Sequence, residues 1–412
     1  MSGGAEVNPS AVFTRRYDLD WLRIIAFGLL IFYHIGMFFN TEGWHAKSLN
    51  ANDAMEPLMW LSSPWRLPLL FFVSGVAIRF LSDKLGSARF AADRSWRLFP
   101  VILFGMYVIV APQTYVELRS GGEIEAGFGA FYQSYAGEWG GPWSVHTPTW
   151  NHLWYVVYLF VYSLLLAPLF PILRALADSQ LMLRLGRFLA HNAATSIVLL
   201  LLPLVPLLAI RFSLVPSFPT THDLVNDWAN HAQSLTMVLL GYVMAKNEGV
   251  WRAVDKLLPI VGTVTLASFA FLLWCYSDWD RIASNEVLVW IARIDRIVYT
   301  WAIILTLVGL ARRFLKGDGP VRRYLTGAIF PYYILHQTII VVAGYALTPV
   351  GLGAWSEFAL LVAITVIGCA AGYEIVRRIP VLRPVMGLKL VRPSAGAATA
   401  PAKEPASESR NS

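Results

Sequence analysis

Charge is scarce in this 412-residue chain, where Asp, Glu, Lys and Arg fill 14% of positions against roughly 25% in a soluble domain. The shortage excludes a large soluble domain. It points to lipid as the solvent, because 56% of residues are hydrophobic and apolar stretches of about 20 residues, enough to cross a ~30 Å hydrocarbon core, recur along nearly the whole chain. Cysteine is almost absent. Cys275 and Cys369 each sit within an apolar stretch, which excludes a disulfide framework or thiolate metal site and suits small buried residues. There is no phosphate-cradling glycine loop and no His-Glu-x-x-His pattern, and the histidines are too dispersed for a sequence-local metal site, so no metal is expected. The N-terminal region lacks a short apolar core followed by a small-residue cleavage site. The first apolar run, Trp21 to Phe39, is therefore expected to stay as an anchor. The net charge of +7 is scattered between apolar stretches, so the expected partner is the lipid bilayer and not nucleic acid.

Runs with few charges place ten spans near 21–39, 66–82, 98–116, 151–173, 194–212, 232–246, 257–276, 287–310, 327–348 and 356–376. The second and sixth are short, which leaves nine or eleven open, and Pro203 and Pro206 should kink the fifth. The connecting segments test this count, since cytoplasmic loops hold the excess of Lys and Arg. Arg79, Lys84, Arg89, Arg94 and Arg97 follow span two, and Arg312, Arg313, Lys316, Arg322 and Arg323 follow span eight. The clusters after spans four, six and ten continue the alternation. The odd-numbered loops hold little: Lys47 and Arg66, then Arg119, Arg211 and Arg281. The expected fold is all-α, a polytopic membrane bundle of about ten helices with both ends in the cytoplasm. Residues 1–16 form a cytoplasmic segment, 17–380 the transmembrane domain and 381–412 a largely disordered cytoplasmic tail. From Pro393 to Ser412 that tail is rich in Ala, Pro, Ser and Glu and has nothing with which to build a core. The outside loop near 117–150 is rich in Gly and aromatics, which suits either the membrane interface or an acceptor site built of flat rings.

An ionisable side chain inside a span costs a few kcal/mol or more, so each needs a cavity, a partner or a function. The candidates are Arg23 and His34 in span one, Arg293, Asp295 and Arg296 in span eight, His336 in span nine and Glu374 near the inner end of span ten. At ~100° and ~1.5 Å per residue, Arg23 and His34 lie on one helix face about 16 Å apart, the arginine near the cytoplasmic end. His34 is placed as a general base, with packing as the plain alternative. Asp295 either orients an imidazole or belongs to an ion-pair cluster with Arg293 and Arg296; one of those arginines is also a candidate to stabilise an oxyanion. His336 is read as a supporting or packing residue, and Ser74 beside Gly75 as a close-packing pair.

Asp20-Trp21-Leu22-Arg23, with His34 completing an Arg-x10-His spacing, resembles the first helix of the acyltransferase-3 family of integral membrane acyltransferases. Leu69-Leu70-Phe71-Phe72-Val73-Ser74-Gly75 resembles its second helix, and Arg94-Ser95-Trp96-Arg97-Leu98-Phe99-Pro100 the Arg-x-x-Arg start of its third. Asn151-His152-Leu153-Trp154-Tyr155 and Ile334-Leu335-His336-Gln337 are similar to the branch containing the osmoregulated periplasmic glucan succinyltransferase. The resemblance covers roughly residues 16–380. It implies transfer of an acyl group from a cytoplasmic acyl-coenzyme A, a co-substrate rather than a bound cofactor, to a hydroxyl of a carbohydrate acceptor outside a bacterial inner membrane. His34, Arg23 and Asp295 would then be catalytic, and Arg94 and Arg97 would clamp the donor phosphates. His152, Trp154, Arg293, Arg296 and His336 would support the site or meet the acceptor. The competing reading is a transporter or flippase, since intramembrane charges also mark substrate pathways; the halves show no evident repeat.

Overall fold

The computed structural model describes residues 16–125 and 127–390. The proline-rich end of the tail and the first fifteen residues lie outside them. Among the described residues there is no strand. Lipid offers no partner to a bare N–H or C=O, so long helices that satisfy their own backbone are the expected answer to apolar runs of this length.

Nine helices among the described residues are long and apolar enough to cross a membrane: α1 Tyr17–Phe39, α2 Glu56–Lys84, α3 Ser87–Ser120, α4 Asn151–Ala177, α5 Ala193–Ser213, α7 Glu248–Ser277, α8 Glu286–Phe314, α9 Pro320–Val350 and α10 Ala354–Arg378. Between α5 and α7 lies α6, Trp228–Met244, with 17 residues. Direction settles whether α6 crosses. On α1 and α9, Asp20 meets Arg322 at one end, His34 meets His336 further along, and Phe38 packs on Gly344 at the other. The two helices therefore run parallel, which alternating spans allow only when an odd number of crossings lies between them. With α6 there are seven, which fits ten alternating helices among the described residues.

Helix ends follow local chemistry. Asn192 forms a capping box with Thr195 at the start of α5, and Asn247 and Asn285 cap α7 and α8 with their side-chain oxygens. At the end of α1, the Lys47 ammonium bonds the carbonyls of Met37 and Asn40 at 2.7 and 2.9 Å. Burial lowers the pKa of Lys47, against the opposing pull of Glu42 and Glu56. Pro203 and Pro206 sit inside α5, which continues through both.

Glycine sets the closest helix contact. A Cβ on Gly75 would collide with the carbonyl of Val238 on α6, and one on Gly241 with the carbonyl of Phe72 on α2. Each backbone fills the space the other's side chain would need, as small residues permit between membrane helices. In α3 the residues Gly105–Val110 form a π-helical turn. The Tyr135 and Tyr132 hydroxyls of the helix Phe128–Gly137 donate to the Met106 and Tyr107 carbonyls there at 2.7 and 3.0 Å. Part of the aromatic outside loop is thus packed onto α3, and burial pushes the Tyr135 phenol up to about 12.

The first residues of the tail are folded. Leu382–Val385 is a short helix, Met386 is buried, and Arg383 bonds the carbonyls of Arg377 and Lys389 at 2.6 and 2.8 Å. Its apolar side chains pack against the core, which ties the segment down.

Candidate active site

Parallel packing of α1 on α9 brings two imidazoles together in the bundle. His34 Nδ1 lies 2.9 Å from His336 Nε2, and His336 Nδ1 lies 2.7 Å from the Tyr333 carbonyl on its own helix. A carbonyl only accepts, so His336 Nδ1 carries the hydrogen. In neutral His336 that makes Nε2 an acceptor, and His34 Nδ1 must donate to it. The lone pair of His34 is then on Nε2, which faces away from His336. The Trp44 ring stacks on the His34 ring at 6.3 Å between centroids.

A second chain of hydrogen bonds runs beside this pair. The Glu117 carboxylate meets His45 Nδ1 at 2.6 Å, and the Gln337 amide nitrogen lies 2.9 Å from His45 Nε2 and 3.1 Å from Gln113 Oε1. Gln113 in turn donates to Thr338 at 2.6 Å, and its amide nitrogen lies 3.5 Å from His152 Nδ1. His152 Nε2 lies 3.1 Å from the Ile334 carbonyl, and the Tyr333 hydroxyl bonds the His152 carbonyl. His152, buried at the start of α4, thereby fixes the α9 backbone that carries His336. His45 and Gln113 escaped the sequence reading, and Gln337 entered it only as part of a matched segment. Glutamines carry no charge to stand out inside a span, and His45 lies in a loop.

Arg66, read from sequence as a loop residue, is 3% exposed on α2. Helix α2 begins at Glu56, about ten residues before the expected start. The first turn is secured when Glu56 accepts from the Thr41 amide at 2.8 Å. The Arg66 guanidinium lies 3.5 Å over the Tyr33 ring, its Nε donates to the Ser62 carbonyl at 3.0 Å, and its Nη1 is buried with no hydrogen-bond partner among the described residues.

Towards the other end of α1 a cavity of about 410 Å³ is lined by Arg23, Arg94, Arg97 and Lys389, with Phe27 and Phe330 among its apolar walls. Ser74 and Tyr155 share a hydrogen bond of 2.8 Å in its wall. Buried Nε atoms of Arg23 and Arg94 have no hydrogen-bond partner among the described residues. Arg97 is more exposed and donates to Asp93 at 2.8 Å. A second cavity of about 600 Å³, which also includes Arg16, Lys84 and Lys246, shares Arg23 as a wall. Unpaired buried guanidinium donors in a space of this size suit an anion with several oxygens.

The residues of α8 stand apart. Asp295 accepts from Ser268 of α7 at 2.8 Å, and its other carboxylate oxygen is buried with no hydrogen-bond partner among the described residues. Arg296 donates to Tyr276 of α7 at 2.9 Å, and Arg293 lies over Trp290 at 5.8 Å. Helical phase turns Asp295 and Arg296 toward α7, so among the described residues Asp295 bonds a serine and is paired neither with an imidazole nor with Arg293 or Arg296, the two alternatives the sequence left open. Trp154 lies outside the histidine pair, stacked at 4.3 Å on His222, whose pKa burial lowers. No group of three or more His, Cys, Asp or Glu side chains among the described residues is placed to hold a metal ion.

A family model described as an acyltransferase domain, of the acyltransferase-3 type, matches residues 16–374. No curated protein and no solved structure matches the chain.

Proposed function

Since the chain belongs to the acyltransferase-3 family and is a multi-pass membrane acyltransferase, we propose that it moves an acyl group from a cytoplasmic acyl-coenzyme A to a hydroxyl of a carbohydrate acceptor on the outer side. The observation that carries this reading is the hydrogen-bond chain from the Tyr333 carbonyl through His336 to His34, which leaves a basic nitrogen on His34. A hydroxyl becomes a competent nucleophile when such a base accepts its proton. His336 acts as the positioning residue, fixing the tautomer and ring of His34. Asp295 has no part in this arrangement.

The basic cavity at the Arg23 end supports the donor side. Arg94 and Arg23 offer unsatisfied donors to phosphate oxygens, with Arg97 and Lys389 at the rim. The apolar wall at Phe27 and Phe330 suits the less polar arm of the donor. Positive-inside bias places this end in the cytoplasm, where coenzyme A is found. The resemblance read from sequence in the His152 and His336 segments is the ground for proposing a periplasmic glucan and a bacterial inner membrane. The test is transfer of labelled acyl groups from acyl-coenzyme A to carbohydrate by purified protein in nanodiscs, with mass spectrometry of envelope glycans for the missing acyl mass in cells without the gene. No transfer to any carbohydrate by well-folded protein would overturn the reading.

A further inference from the structure

The proposed reaction needs a group that no residue so far supplies. As the acceptor oxygen attacks the thioester carbonyl, negative charge grows on the carbonyl oxygen, and a preorganised donor there is usually a large contribution to rate. The arginines of α8 are turned to α7 and to Trp290, leaving that place open.

We propose that Arg66 is the residue that receives this oxyanion. The proposal rests on the acyl-transfer reading above. Four observations support it. Arg66 is at the depth of the histidines, since its guanidinium lies on the ring of Tyr33, the neighbour of His34 in sequence, and the Tyr33 and His34 rings are 5.7 Å apart. It is 3% exposed, so water does not screen it. Among the described residues no carboxylate is paired with it, and Nη1 has no hydrogen-bond partner. Finally, it is held on two sides, by Tyr33 below the plane and by the Ser62 carbonyl at Nε, so the guanidinium is positioned before substrate arrives. A buried arginine with no counter-ion is costly in a membrane helix, and a charge that appears only during reaction explains its retention.

In the step itself, the acceptor O–H proton goes to His34 Nε2 and the oxygen forms a bond to the acyl carbon. The carbonyl π pair moves onto oxygen, where Arg66 holds it by hydrogen bonding. The pair then returns, the C–S bond breaks, and the departing thiolate takes the proton from the His34 imidazolium to give the free thiol.

The experiment compares wild type, Arg66→Gln and Arg66→Met in nanodiscs by steady-state kinetics with acyl-coenzyme A and a carbohydrate acceptor, with thermal unfolding of each sample alongside. A wild type without transfer would sink the acyl-transfer reading itself. With an active wild type, the expected result is kcat lowered about 10²–10³-fold in both variants while either substrate's KM moves by less than about threefold. Two outcomes overturn the role of Arg66. One is an unchanged kcat, and the other is a loss carried by KM, which would mean that Arg66 binds a charge already present in a substrate. Failure of both variants to insert would make it a structural residue and overturn the proposal equally.

Discussion

His34 and His336, 302 residues apart in sequence, face each other nitrogen to nitrogen at 2.9 Å across two parallel helices. The contact is directional, because the Tyr333 carbonyl decides which ring donates.

Replacing His34 by Ala should lower kcat by about 10²–10⁴-fold, the usual contribution of a general base, and leave insertion intact. His336→Ala should lower it less, by roughly tenfold or more, because the base remains but its tautomer is no longer held. The pH profile of kcat separates the two: His336→Ala should shift the acidic limb, where His34 must lose its proton to act as a base, whereas His34→Ala should abolish it. Equal activity of wild type and His34→Ala would remove the site.

Arg94 and Arg97 should differ, although they sit three residues apart on one helix. Arg94 has a buried unpaired Nε, whereas Arg97 is more exposed and already bonded to Asp93. Loss of a charge-assisted hydrogen bond costs about 1.5–3 kcal/mol, so Arg94→Ala should raise the donor KM roughly ten- to a hundredfold, and Arg97→Ala by less. A rise confined to the acceptor KM would relocate the donor.

The folded part of the tail carries its own expectation. Gly387, Leu388 and Lys389 line the cavity with Arg23 and Arg94. Truncation after residue 390 should leave donor KM unchanged, and truncation after residue 381 should raise it severalfold. Equal kinetics of the two truncations would show that the segment plays no part in donor binding.

Gly75→Val tests the contact of α2 with α6. The added side chain meets the Val238 carbonyl, and overpacking of this kind costs about 1–3 kcal/mol. The expected readout is a lower thermal midpoint in detergent, with no such drop for Gly262→Val, where a Cβ meets open space.

Orientation can be read by cysteine labelling after Cys275 and Cys369 are replaced. Cysteine at the exposed Gly122 or Thr220 should react with an impermeant reagent on intact cells, and cysteine at the exposed Ala88 only after lysis. Reaction at position 88 from outside would place the basic cavity away from coenzyme A.

Most of the bundle was legible because a span must be apolar for its whole length, and the positions of His34, His336 and the arginine pairs stood out as charge within it. Three things were not. Helix α2 starts early because Glu56 is satisfied by Thr41, a tertiary contact with no local pattern, and Arg66 was assigned to a loop as a result. The direction in which Asp295 points depends on the azimuth of α8 against α7, which spacing alone does not give. His45, Gln113 and Gln337 form a chain only after α1, α3 and α9 have met, and neutral amides leave no mark on a search for charge.

The parallel pairing of α1 with α9 also has a consequence for biosynthesis. His34 enters the bilayer with the first helix, whereas its partner follows 302 residues later; at about 5–20 residues per second, the interval is roughly 15–60 s. Until then the nascent chain carries an unmatched imidazole, and the pair closes only as the ninth helix arrives. A ribosome that stops before that point leaves a protein with most of its spans in place and no histidine pair.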